Sequence, residues 1–160
     1  MPEERIEHVL EYVEPSERVV VSANFADRII VAKVRFRSPT YTRRPVQYLN
    51  SSVLAVSLAQ ASQLLFDHYV GSPDFPFSHL LNLTELQEAR LNHEVYYVDL
   101  QMRFRKRQPD TDYEIRIELQ RILHFRGCIF GALRFDVEDK VRGTFKAFVP
   151  VHGISKEIEE

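Results

Sequence analysis

In the stretch Tyr48-Leu49-Asn50-Ser51-Ser52, an asparagine and two serines stand directly before a run, Ser51 to Phe66, that carries no charged residue. Asn and Ser are favoured helix N-caps. A helix start also carries unpaired backbone N–H groups and a partial positive charge. Such a place can hold a carbonyl oxygen and stabilise it further as it becomes an oxyanion. Asn50 or Ser51 is the candidate cap, and the N–H groups of Ser51 to Val53 are the candidate donors. Asn50, Ser51 and Ser52, with the phenol of Tyr41 from the preceding loop, form the candidate catalytic set. Tyr48 adds a second phenol, and Arg43 and Arg44 could contact a phosphate. Ordinary capping explains Asn and Ser equally well, and both tyrosines could simply pack at a rim.

The run itself places two amides, Gln60 and Gln63, on a helix otherwise almost free of polar groups. Buried amides need partners. They are expected either to hydrogen-bond across a dimer interface or to line a polar pocket and touch a ligand. Arg103, Arg105, Lys106 and Arg107 read as a solvated strand face, with phosphate binding as the alternative. None of the six histidines has metal spacing with another. His68, at the end of the run, is nearest the presumed site and is expected to be structural. Residues 42–66 contain no Asp, Glu or His, and the first acid is Asp67. General acid–base catalysis by a carboxylate on this helix is therefore unsupported. No metal and no cofactor is implied.

These residues need elements to hold them. Ile6, Val9, Leu10 and Val13 share one helical face, which predicts a helix over 3–13 ended by Pro15. "ERVVVSANF" and "DRIIVAKVRFR" read as strands, the second with Ile30, Ala32, Val34 and Phe36 on one face. "SPTYTRRPVQYL" is a loop. The charge-free run is a helix of roughly five turns, apolar nearly all round and hence buried. "LTELQEARL" reads as a short helix, with Thr84 as cap and Gln87 three residues on. Four strands follow. In the first, Tyr96, Val98, Leu100, Met102 and Phe104 are expected on one face; Asp99, Gln101, Arg103, Arg105 and Arg107 on the other. "QPDTD", Arg126-Gly127 and "EDK" are the turns between strands.

A charge-free helix needs apolar neighbours on most sides, and a curved antiparallel sheet wrapped round it supplies them. The fold class expected is α+β: the hot-dog fold, a curved antiparallel sheet around one buried central helix. Residues 1–152 read as a single domain and 153–160 as a frayed tail. In this fold the sheets of two subunits commonly pair, so a homodimer or a higher homo-oligomer is expected. The chain has 160 residues and a formal net charge of −2, so no pull on nucleic acid is expected. The run is too short and too rich in Ser and Gln to span a membrane. A lone cysteine, Cys128, and an acidic start without a signal-peptide pattern suit a cytoplasmic protein.

The sequence resembles the FcoT-like thioesterases, hot-dog proteins that act on fatty acyl thioesters. The resemblance runs from "HVLEYVEPSERVVVSANF" through the loop tyrosine, "LNSSVLAVSLAQ" and "RFRKRQPDTDYEIRIEL" to "RGTFKAF". The most specific matches are "LN" at the helix start with a Gln ten residues after the Asn, and the "RFRK" strand end. "SSVLAVSLAQAS" is also similar to the helix of hot-dog dehydratases, without the His and Gly-Pro-Gly features of their loop. The family too lacks a helix carboxylate. The resemblance carries the family's loop tyrosine onto Tyr41, its helix-start asparagine onto Asn50, and its N-terminal tyrosine near Tyr12. A second helix asparagine falls on Ala59 and a helix tyrosine on Gln63, which are departures. It implies an acyl-coenzyme A or acyl-carrier-protein thioester as ligand and release of the free acid. The alternatives are an enoyl-thioester enzyme (glycine-adding, or a hydratase/dehydratase) and a non-catalytic acyl-binding subunit.

Overall fold

The computed structural model describes residues 3–36, 49–106 and 111–151. Helix α1 spans Glu3–Val9 and buries Ile6, Val9 and Leu10 just beyond it. It is shorter than the expected 3–13. Beyond Val9 the backbone tightens to i→i+3 bonds, with the Val13 N–H donating to the Leu10 carbonyl at 2.9 Å. Glu14, before Pro15, is already extended, as a residue before proline prefers.

Strands β1 (Val20–Ala26) and β2 (Ile29–Val34) form a hairpin, and Ile30, Ala32 and Val34 are fully buried. Helix α2, Ser51–Val70, follows, then α3, Leu83–Leu91. Strands β3 (Tyr96–Phe104), β4 (Tyr113–Phe125), β5 (Cys128–Val137) and β6 (Val141–Pro150) complete one antiparallel sheet in the order β1-β2-β4-β5-β6-β3. Arg126 and Gly127 both take positive φ, 49° and 70°, as a two-residue hairpin loop requires. Helix α2 packs on β1, β2 and β4. Its Leu54, Leu58, Leu64 and Leu65 are at most 2% exposed. Each such leucine stabilises the fold by about 1.5–3 kcal/mol. A curved antiparallel sheet round a buried helix is the hot-dog fold.

Two local expectations need correction. The cap of α3 is Asn82, not Thr84. The Asn82 side chain accepts from the Thr84 and Glu85 N–H groups, and Glu85 accepts from the Asn82 N–H, closing a capping box. Strand β3 does not keep one alternation. It pairs Val98 with Lys146 but Gln101 with Thr144, so one residue is extra, and Asp99 takes φ 54° there. The bulge reverses the faces. Tyr97 pairs with buried Ala147 on the inner face; beyond the bulge, Met102 and Phe104 pair inward with Gly143 and Val141. Tyr96 and Val98 therefore lie on the outer face, opposite Met102 and Phe104.

The bulge depends on a glycine across from it. A Cβ at Gly143 would stand 1.9 Å from the Gln101 carbonyl oxygen and 2.7 Å from the Phe135 ring. Gly143→Ala is therefore expected to cost about 1–3 kcal/mol. Urea unfolding checks it, and an unchanged midpoint would mean that β3 shifts without loss.

Candidate active site

Helix α2 begins where its polar residues put it. Asn50 is extended (φ −117°, ψ 175°), and its side-chain oxygen accepts from the Val53 N–H at 3.0 Å. Its carbonyl accepts from the Leu54 N–H at 3.0 Å. Capping therefore consumes one of the three expected donors: the Val53 N–H points at Asn50, not at a ligand. The N–H groups of Ser51 and Ser52 have no acceptor among the described residues. Both serines are exposed, and Asn50 is partly so.

Ser51, Ser52 and Ala55 form one wall of an open groove of about 430 Å³. Leu100, Met102 and Phe104 of β3 form the other wall. The start of the helix thus borders an apolar slot. One turn further in, the Ser57 hydroxyl bonds the Val53 carbonyl (3.1 Å) and the Tyr113 hydroxyl (2.7 Å). Burial pushes the Tyr113 phenol up to about 12, against the opposing pull of that serine.

The remaining candidates separate. Gln60 is not at the groove: its carbonyl accepts from the Val19 N–H (2.9 Å) and its amide donates to the Glu17 carbonyl (2.9 Å). It pins α2 to the segment entering β1, with both ends used inside the chain. Gln63 accepts from Arg90 Nε at 2.8 Å. Both amides thus have hydrogen-bond partners within the chain. Tyr12 faces the same cluster; burial pushes its phenol up to about 12, partly offset by the Arg90 guanidinium. Tyr41, Arg43, Arg44, Tyr48 and Arg107 lie outside the described residues.

Arg90 organises that second cluster, which sequence reasoning missed. Its side chain is fully buried. Nη1 donates to Asp67 Oδ1 (3.2 Å) and Gln87 Oε1 (3.0 Å), and Nη2 to the Gln63 carbonyl (2.8 Å). Burial lowers the Arg90 pKa, and Asp67 pulls it back up. Asp67 also accepts from Arg5 Nη2 at 3.0 Å. Tyr97 joins from β3: its hydroxyl donates to the Ala59 carbonyl at 3.2 Å and accepts from Ser62 at 3.2 Å. Burial holds the Tyr97 phenol far above the usual tyrosine range. The one available signal was Asp67, the first acid after the charge-free run; Arg90 looked like an ordinary cation in the last turn of a helix.

Other features carry less. His68 stacks on Phe25, ring centroids 4.5 Å apart, and burial lowers its pKa. Arg103, Arg105 and Lys106 are exposed. A larger depression of about 620 Å³ lies over β4, β5 and β6, and most of its charges pair with one another, Arg134 with Glu118 and Arg142 with Asp136. Among the described residues no group of three or more His, Cys, Asp or Glu could hold a metal ion, and no helix is long and apolar enough to cross a membrane.

No protein-family model matches the chain, and no curated protein matches it. Solved structures do. The HP0420 homologue from Helicobacter felis is similar at a TM-score of 0.50 and 7% identity, over 92% of this chain and 89% of that one. A hypothetical thioesterase with coenzyme A from Streptococcus pneumoniae TIGR4 is similar at a TM-score of 0.42 and 11% identity, over 81% and 85%. The dehydratase heterocomplex ApeI:P from Xenorhabdus doucetiae is similar at 0.47 and 12%, over 94% and 92%. At these identities the likeness is one of fold.

Proposed function

We propose that this protein binds an acyl thioester, of coenzyme A or of an acyl carrier protein, and hydrolyses it to the free acid. The observation that carries the reading is the groove. Ser51 and Ser52, at the start of a buried helix, line it opposite an apolar wall from Leu100, Met102 and Phe104, and their N–H groups have no acceptor among the described residues. A thioester has a carbonyl oxygen for the first feature and an acyl chain for the second. The Asn50 oxygen is used in capping, which leaves its amide NH₂ as a third donor. Tyr41, with Arg43 and Arg44 for the phosphate end, comes from the loop before the helix on sequence grounds.

Water adds to the carbonyl carbon, the oxygen takes the negative charge among these donors, and the C–S bond then breaks with the proton passing to the thiolate. Among the described residues no Asp, Glu or His lines the groove. The rate therefore rests on orientation and electrostatics rather than on a protein base in that lining. A reducing, cytoplasmic setting suits the free thiol of Cys128.

The test is product analysis with saturated acyl-coenzyme A, and with an enoyl thioester plus glycine. Free acid and thiol from the first supports hydrolysis. A glycine adduct from the second alone would replace hydrolysis with addition. Binding without any product would make the chain an acyl-binding subunit.

The same reading takes the protein to be at least a homodimer. Strand β3 pairs only with β6 among the described residues and presents Tyr96 at 57% and Val98 at 38% exposure on its outer face. A bare apolar edge strand invites a second copy. Light scattering at micromolar concentration should give a dimer or larger, and a clean monomer would rule out a site shared between subunits.

A further inference from the structure

We propose that Tyr97 is the stop that sets the length of acyl chain the groove accepts, at about eight to ten carbons; this rests on the acyl-thioester reading above. The space between α2 and β3 is open where Ser51, Ser52 and Ala55 face Leu100, Met102 and Phe104. One turn beyond Ala55 it is crossed: the Tyr97 hydroxyl reaches the helix itself and donates to the Ala59 carbonyl at 3.2 Å. The crossing exists because of the β3 bulge. With unbroken alternation Tyr97 would face away from Met102; the extra residue between Val98 and Gln101 brings both to the inner side.

Tyr97 is also held firmly. It accepts from Ser62 at 3.2 Å, and its ring lies 6.2 Å from that of Phe145. Behind it stand Gln63 and the buried Arg90 guanidinium, bonded to each other at 2.8 Å. An apolar chain driven past Tyr97 would break hydrogen bonds that it cannot replace. Tyr97 and the groups behind it therefore oppose an apolar chain in both shape and polarity.

Its length follows from the helix. Ser52 to Ala59 is about 10 Å at roughly 1.5 Å per residue. An extended chain advances about 3.3–3.6 Å for every three bonds, as a polypeptide backbone does. About nine bonds fill the slot from the donors to Tyr97.

The experiment measures kcat/KM over the saturated series from butanoyl- to hexadecanoyl-coenzyme A, and affinity for the non-hydrolysable thioether analogues of the same lengths. In the parent protein each added carbon should raise both by about fourfold until the slot is full; near ten carbons the gain should stop. Tyr97→Ala should move that break to longer chains by about two carbons or more. Ala55→Leu, which narrows the slot and does not depend on Tyr97 folding contacts, should move it to shorter ones. Tyr97→Phe loses the hydroxyl bonds but keeps the ring, and should move the break less than Tyr97→Ala does. Turnover without a break, or a break that none of these variants moves, would overturn the stop and leave hydrolysis standing. A break in affinity with no turnover would overturn hydrolysis and support the stop. Neither turnover nor binding would overturn both.

Discussion

Arg90→Met is expected to lower the stability of the fold by about 3–5 kcal/mol, a large share of what a domain of this size commands. Arg90 is fully buried, and its guanidinium holds Asp67, Gln87 and both the side chain and the carbonyl of Gln63. Removing it leaves the Gln63 oxygen without its donor. Among the described residues the largely buried Asp67 carboxylate is left with Arg5 alone, whose side chain is 47% exposed. The loss comes from groups left unpaired more than from any net gain of the pair itself. Arg90→Met combined with Asp67→Leu should therefore recover part of it, because the buried charges then leave together. Urea midpoints of the two variants decide the matter. A single variant as stable as the parent would show that desolvating Arg90 costs as much as its bonds return.

Asn50→Asp is expected to leave the protein folded and to reduce thioester turnover by about 100-fold or more. Aspartate still offers an oxygen to the Val53 N–H and suits the positive end of α2. It removes the amide donor and sets a negative charge where the oxyanion should form. Asn50→Ala separates the roles from the other side, since losing a cap costs only about 1 kcal/mol. Steady-state rates and thermal melts on the same samples distinguish them. An Asn50→Asp protein as active as the parent would make Asn50 a cap alone, with the carbonyl held elsewhere.

The helix was the most legible part of the sequence. A run without charge can only be stable among apolar neighbours, so Ser51–Val70 and the sheet around it followed from composition and period. The cap was legible as Asn50 or Ser51 from their shared preference for that place, and the structure gives it to Asn50. Strand β3 was not. Its letters alternate cleanly, but a bulge adds a residue without disturbing that pattern, and only the pairing with β6 reveals that Tyr97 turns inward. The buried cluster was hidden by a different rule. Arginine in the last turn of a helix ordinarily faces water and complements the dipole, so nothing in "LTELQEARL" distinguishes Arg90. The partners of Gln60 are backbone groups of Glu17 and Val19, which no side-chain pattern encodes.

The place of β3 in the sheet has a consequence for how the molecule comes into being. β3 is made before β4, β5 and β6, yet its only described strand partner is β6, so that Tyr96 must wait for Phe148. Closing so long a stretch of chain is slow compared with forming the hairpins between neighbouring strands. During synthesis the first strands and α2 can collapse early, whereas the wall of the groove and the edge offered to a second copy are completed last. A ribosome-bound chain that has not yet released β6 therefore has neither a finished slot nor a pairing edge, and both appear in a single late step.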